Sequence, residues 1–272
     1  MAHRARLDVP APILKAVTGW IARHRRRPGA RPWQRSATVH AQVLLVLRWL
    51  RHRADLHNLA RDTGVSDATA YRYLHEGLEV IAAHAPDLHD VLAAERAAGA
   101  AYLCLDGTLI PTDRVAARVE VNGELRHNLW YSGKHHAFGG NVQVLADPTG
   151  WPLWTSDVRP GSTHDLTAAR ELVLPALYPH ATRGLPVLAD KGYIGAGIGV
   201  HTPVRRPAGG AVLHRDTRCY NQLITDLRAP AERAHALLGY WRALERVTVC
   251  PQRIGTIVAA ALVLTSMRRG RW

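Results

Sequence analysis

Residues 101–108 read Ala-Tyr-Leu-Cys-Leu-Asp-Gly-Thr. The apolar run from Ala101 to Leu105 has the character of a strand and stops on an acid, which places Asp106 at a strand end, where a sheet presents chemistry. A second such run, residues 186–189, stops on Asp190 in Leu-Ala-Asp-Lys-Gly-Tyr. Working outward, residues 141–146 and 153–158 read as a strand pair joined by Asp147-Pro148-Thr149-Gly150, and Asn122-Gly123 supplies the positive φ angles of a tight hairpin turn. Helices are expected near 166–174 and over 216–244, the second carrying Glu232. Antiparallel strands followed by alternating helix and strand imply an α/β layer structure on a mixed sheet.

Ahead of this lies a helical third, with apolar spacing that predicts helices over 13–24, 37–53, 55–62, 66–83 and 88–97, and a break at Pro28, Gly29 and Pro32. Two domains follow, helical 1–98 and α/β 99–272. Within the first, Leu59 and Ala60 face inward, Gly64 permits a tight turn, Val65 plugs it and Ser66 caps the next helix, whose inner face is Ala70, Leu74, Leu78 and Ile81. This is helix-turn-helix spacing over about residues 55–83, and it turns Ser66, Thr69 and Arg72 outward as candidates for base and phosphate contact. An ordinary helical hairpin has the same spacing, so the charge has to decide.

The chain of 272 residues carries a net charge of +13. Residues 1–53 hold twelve Lys and Arg against the single acid Asp8, so nearly all of that excess sits on one arm. Such an arm seeks a polyanion, and Arg25, Arg26 and Arg27 beside the helix-turn-helix are expected to meet DNA phosphates. The longest apolar stretch, 254–267, is shorter than the roughly 18 residues a membrane span requires and reads as a core helix. A cytoplasmic, nucleoid-associated protein is expected. Three cysteines without C-x-x-C spacing indicate neither a disulfide framework nor a zinc knuckle.

Asp106, Asp190 and Glu232 each suit a cap or a turn when taken singly. Gathered at one place they would repel, and oxygen ligands relieve that by binding a divalent cation, Mg²⁺ or Mn²⁺. Two such ions activate an attacking oxygen and stabilise the leaving oxygen of a phosphodiester. His164-Asp165, just before an expected helix, reads as a helix start, with the carboxylate set against the free amides.

Five motifs occur in order: Asp106-Gly107-Thr108, the run 140–150 that begins Gly140-Asn141-Val142-Gln143, Pro160-Gly161-Ser162-Thr163-His164-Asp165, Ala189-Asp190-Lys191-Gly192-Tyr193, and Arg228-Ala229-Pro230-Ala231-Glu232-Arg233. In this the chain resembles bacterial insertion-sequence transposases of the DDE superfamily, in particular the group named after insertion sequence five. The resemblance implies a ribonuclease-H-like catalytic fold preceded by an all-α helix-turn-helix domain. It also implies metal-dependent cleavage at element ends, strand transfer by the freed 3′ hydroxyl, and at least a dimer when two inverted repeats are paired. Matched position by position, Asp106, Asp190 and Glu232 correspond to the two aspartates and the glutamate, and Arg228 to a basic position near DNA. The chain departs from the pattern at Gly239, where relatives often carry Lys, and at Thr225, where a Tyr is sometimes found. A DNA-binding regulator without catalysis, and a metal-dependent nuclease that never joins strands, are the other readings of the same residues.

Overall fold

The computed structural model describes residues 7–27, 35–115, 118–121 and 124–270. Pro28, Gly29, Pro32 and the Asn122-Gly123 turn lie outside them, as do Arg4, Arg6 and Arg31. The chain forms two compact units: Met1–Ala85 with Leu238–Arg246 and Thr256–Trp272, and Pro86–Leu237 with Val247–Gly255.

The first unit begins with four helices, α1 (Ala11–Arg25), α2 (Val39–His52), α3 (Leu56–Thr63) and α4 (Asp67–Ala82). Each start after the first has a side-chain cap: Thr38 accepts from Ala41 N, Asp55 from Asn58 N and Ser66 from Thr69 N. Gly64, at φ +69°, ends α3 in the left-handed region, and three residues later α4 is under way. α2 packs against α3 and α4, and Val43, Val46, Leu47 and Leu50 of the first, Leu59 of the second and Ala70, Leu74, Leu78 and Ile81 of the third are all buried. The inner face expected for α4 is therefore the observed one, widened by Tyr73 and Gly77.

The second unit opens with α5 (Leu88–Ala97), capped by Asp87, over the residues its periodicity predicts. Then come β1 (Leu103–Pro111), the hairpin β2 (Arg118–Val121) and β3 (Glu124–His127), and four strands, β4 (Tyr131–Ser132), β5 (Ala137–Ala146), β6 (Pro152–Thr155) and β7 (Arg159–Pro160). Two short helices, α6 (Asp165–Leu172) and α7 (Leu174–Ala181), lead to β8 (Val187–Ala189) and β9 (Val200–His201), followed by α8 (Arg215–Arg228) and α9 (Glu232–Gly239). The sheet runs β4-β5-β1-β8-β9, with β6 and β7 also paired to β5. β1 is antiparallel to β5 and parallel to β8, so the sheet is mixed, as the order of strands and helices in the sequence implies. Leu103, Leu105, Leu145, Val187 and Ala189 form one apolar face, covered by Leu88 and Leu92 of α5 and by Ala169, Leu174 and Leu177 of α6 and α7.

Two expectations change. The long helix over 216–244 is broken, because Pro230 has no amide hydrogen to continue the ladder and Ala229–Ala231 tightens into a 3₁₀ turn before α9. β1 does not stop at Asp106: Gly107 to Pro111 continue the strand because β5 is long enough to pair with them, Gly107 opposite Gln143 and Leu109 opposite Asn141. The last helix, α10 (Ile254–Arg268), is apolar all round, and most of it clusters with the helical unit, where Trp241 Nε1 donates to Thr265 Oγ1 at 2.9 Å. Tyr240 is held there between the guanidinium groups of Arg51 and Arg268, 3.9 and 3.4 Å from its ring centre. No helix among the described residues is long and apolar enough to cross a membrane.

Candidate active site

The register of two strands brings the first two acids together. Leu105 and Ala189 are the last parallel pair of β1 and β8, so Asp106 and Asp190 are the next residue on each. Asp190 leaves the sheet, and its Oδ1 accepts from Gly192 N at 2.8 Å, capping the 3₁₀ turn Lys191–Tyr193. Leu105 faces the apolar core, so by alternation Asp106 faces the other side of the sheet. There His235 Nε2 lies 3.3 Å from Oδ2 and Arg228 Nη2 3.8 Å from Oδ1, while Gly107 N donates to Oδ1 at 3.0 Å. Burial works to raise the pKa of Asp106, but the hydrogen bond and charge of His235, the charge of Arg228 and the Gly107 amide outweigh it and lower it. Asp106 is thus held as a carboxylate. Arg228 is mostly buried against it rather than extended toward solvent.

Glu232 is the first residue of α9 and is exposed. Among the described residues it does not complete a three-membered metal-holding group with Asp106 and Asp190. The α9 residue that reaches Asp106 is His235, three positions later and so on the same side of the helix.

A carboxylate that the sequence assigned to a helix start enters the site instead. Asp165 is the first residue of α6 and makes no cap; its side chain, about 11% exposed, lies on the apolar-core side of the sheet, against Gly107. A Cβ on Gly107 would collide with Asp165 Oδ1, and a Cβ on Gly192 would stand 2.8 Å from Asp190 Oδ1 and 3.4 Å from Asp165 Oδ2. These two glycines leave the room in which the carboxylates approach. Lys134 Nζ donates to Asp165 Oδ2 at 2.9 Å. Burial works to lower the pKa of that ammonium, but the hydrogen bond and charge of Asp165, then the charges of Asp190 and Asp106, raise it. Tyr193 beneath them is fully buried, and burial together with the charges of Asp165, Asp106 and Asp190 drives its phenol well above the usual range.

Carboxylate oxygens are the ligands an oxygen-seeking divalent cation takes, and here Asp165 and Asp190 approach each other at Gly192 while Asp106 stands on the other side of the sheet. Among the described residues no three His, Cys, Asp or Glu side chains close on one point. The nearby thiol of Cys104 takes no part as a nucleophile, since burial, with a smaller push from Asp106 and Asp147, raises its pKa to about 11.

In the helical unit the candidate DNA residues separate. Ser66 is exposed and caps α4, and Arg72 is exposed. Thr69, expected to point outward, is only 7% exposed, because its hydroxyl is enclosed between Ser66 Oγ at 3.1 Å and Arg72 Nη2 at 3.0 Å. The outward row of α4 is Ala68, Tyr71, Arg72 and the half-buried His75; Tyr71, 44% exposed, is a large apolar side chain that the reading for base contacts passed over. Arg26 and Arg27 are exposed, but Arg25 is buried, and its guanidinium donates to Gln42 Oε1 and to the Ala37 carbonyl and lies over the Tyr73 ring. Arg25 therefore serves the fold and not a phosphate. The row Ile13, Val17, Ile21, Arg25, four residues apart, carries that signal in the sequence.

No curated protein and no solved structure matches the chain. The family model described as DDE superfamily endonuclease matches residues 105–266, a span that holds β1 with Asp106, β8 with Asp190, and α9. With more than half of its length so matched, the chain belongs to the DDE superfamily of endonucleases.

Proposed function

We propose that the protein is a DNA transposase: it grips double-stranded DNA at inverted repeats through Ser66, Arg72, Arg26 and Arg27, cuts phosphodiesters at Asp106, Asp190 and Glu232, and joins the freed end to target DNA. The observation that carries the reading is the Leu105–Ala189 register, which sets two aspartates side by side on neighbouring strands, with α9 placed over the first. Membership of the superfamily makes DNA the substrate and a divalent metal the general requirement. The group named after insertion sequence five, the choice of Mg²⁺ or Mn²⁺ and the number of ions belong to this proposal. So do the division into DNA-binding residues 1–98 and catalytic residues 99–272, the helix-turn-helix role of α3 and α4, nucleoid association, and a dimer across two element ends.

When bound, the cations make the attacking oxygen more nucleophilic and stabilise the leaving one. The chain's own residues supply the frame. Gly107 N–H and His235 fix the Asp106 carboxylate, Gly192 N–H fixes that of Asp190, and α9 carries Glu232 on the same side as His235. Arg228 places a fixed positive charge beside Asp106, suited to a phosphate laid in the cleft. In the first step water attacks phosphorus and the P–O3′ bond breaks; in the second the released 3′ hydroxyl attacks a target phosphodiester and displaces its O3′.

The test is a Mg²⁺ or Mn²⁺ nicking and joining assay on a duplex bearing the DNA that flanks this gene. Asp190→Asn is expected to lower single-turnover nicking by about 10³-fold without weakening duplex binding. Undiminished nicking by that variant sinks the catalytic assignment, and nicking without joined product favours a nuclease over a transposase.

A further inference from the structure

Past residue 53 the chain is almost neutral, with 23 Lys and Arg against 21 acids, yet its positive charge is not evenly spread. Residues 200–218 hold Arg205, Arg206, Arg215 and Arg218 against the single acid Asp216. All four arginines are exposed. Among the described residues none of them forms an ion pair with a carboxylate, and Asp216 lies instead 3.4 Å from His214 Nδ1. The loop that carries the first two is tied down at two points. Val204 N donates to Asn221 Oδ1 at 2.8 Å and Asn221 Nδ2 donates to the Val204 carbonyl at 3.0 Å, which fixes the loop to the middle of α8. Arg218 is one turn before Asn221 and Arg215 one turn before that, so Arg205 and Arg206 come alongside the first turns of the helix. Arg205 Nη2 donates to the Lys191 carbonyl at 3.4 Å, and Lys191 is the exposed residue next to Asp190. α8 buries only Ile224 of its 14 residues, so its outer side is left to solvent. A run of unpaired positive charge thus leads away from the second aspartate.

We propose that the loop between β9 and α8, with the first turns of α8, is a phosphate track for the backbone of the duplex being cut, holding it beside Asp190 without reading its sequence. The proposal rests on the reading of the protein as a DNA-cutting enzyme. It adds a contact surface in the sheet unit to the residues Ser66, Arg72, Arg26 and Arg27 of the helical one. Charge and shape select the partner: exposed guanidinium groups without acid partners are matched by phosphates, whose oxygens fit the planar fork two at a time. Arg215 and Arg218 stand about 4.5 Å apart along the helix axis, near the ~3.4 Å by which successive phosphates of one strand advance along a duplex. Residues 200–218 contain no Phe, Tyr or Trp. They offer no platform for an unstacked base, so a paired duplex fits them better than a single strand. Arg205 ties the track to the turn after Asp190, and Arg206, Arg215 and Arg218 supply the contacts.

The experiment measures binding of the full-length protein to a random-sequence duplex over a range of salt concentrations. It compares wild type with Arg206→Ala/Arg218→Ala, with the same pair changed to Lys, and with Arg96→Ala/Arg183→Ala, which removes equal charge from exposed positions at the end of α5 and just past α7. Loss of two phosphate contacts in Arg206→Ala/Arg218→Ala is expected to lower the slope of log affinity against log salt by about two, and to weaken binding about fiftyfold at ~0.1 M salt. The Lys pair and the Arg96/Arg183 pair are expected to keep the wild-type slope. In the nicking assay, Arg206→Ala/Arg218→Ala is expected to raise KM for the duplex about tenfold, more than it lowers kcat. An unchanged slope overturns the proposal, and so does an equal fall in both alanine pairs, which would mark an effect of net charge alone. If the slope is unchanged while wild type nicks and Asp190→Asn does not, the cutting assignment stands and the track falls. A fall confined to the Arg206/Arg218 pair in a protein that nicks no duplex has the opposite meaning.

Discussion

Glu76 in the helical unit and the aspartates of the sheet unit are both carboxylates withdrawn from water, and they are treated differently. Arg35 donates to both Glu76 oxygens at 2.8 and 2.6 Å, Gln42 Nε2 adds a bond at 2.8 Å, and His24 stands at 3.3 Å. Every partner comes from the same helical unit, and Gln42 is itself fixed by Arg25 and donates to the Tyr73 carbonyl. Asp106, Asp165 and Asp190 are instead met by separate groups, His235, Arg228 and the Gly107 amide at the first, Lys134 and Asn141 at the second and the Gly192 amide at the third, so three carboxylates face fewer full positive charges than their own number. A closed cluster is a part of the scaffold; one left short of positive charge keeps a place for a cation and a phosphate.

That contrast can be broken in four places. Asp106→Asn is expected to reduce nicking by about 10³-fold and to cost only a modest amount of thermal stability, since it removes the carboxylate charge that His235, Arg228 and the Gly107 amide favour. A large loss of stability would put Asp106 in the same class as Glu76. Glu76→Ala is expected to cost about 3 to 5 kcal/mol in urea unfolding, because Arg35 and Gln42 then lie partly buried without the carboxylate they share. The pH dependence sharpens this. Burial works to raise the pKa of Glu76, but the hydrogen bonds of Arg35 and Gln42 and the charges of Arg35 and His24 lower it. Its stabilisation is therefore complete above the ordinary glutamate value of 4.5 and is lost as the pH falls through the lower folded value. Glu76→Gln should flatten the acid limb of a stability-against-pH curve, and an unchanged limb contradicts the assignment.

Gly107→Ala is expected to cost about 1 to 3 kcal/mol, as its methyl collides with Asp165, and to slow nicking as the carboxylate moves. Wild-type stability and rate together would show that the cleft has slack. The smallest effect belongs to Arg26→Ala with Arg27→Ala, which should leave the melting temperature within error and reduce the salt dependence of DNA binding by about two ions. Arg25→Ala should do the reverse, and an equal salt effect from all three would mean that Arg25 leaves its buried site on binding DNA.

Much of this was legible in the sequence where one local rule dominates. Residues 88–97 have helical period and a capping Asp87, and the structure has that helix at those bounds. The stretch that ends on Asp106 carries the strand and its acid, but the continuation through Gly107 to Pro111 has no local signal, because the partner that extends β1 lies some thirty residues on, in β5. Pro230 breaks the expected 216–244 helix by the local rule that a proline lacks the amide hydrogen to continue the ladder. Arg25 shows how a charge run misleads: three arginines look equally solvated, while the four-residue row through Ile13, Val17 and Ile21 singles out one. Asp165 and Lys134 were the least legible, since their meaning depends on β1, β5 and α6 meeting in space. His235 had no local signal at all.

The pairing of Leu105 with Ala189 also sets when the site can exist. β1 finds β5 across a short span of chain, so a nascent polypeptide carries Asp106 on a paired strand early. β8 lies roughly eighty residues further on, and closing a loop of that length costs about 4 kcal/mol in chain entropy before its contacts form. α9 leaves the ribosome later still. Cutting activity is therefore expected to appear only once synthesis has passed α9, and the helical unit that carries Arg26 and Arg27 is completed later still, by α10.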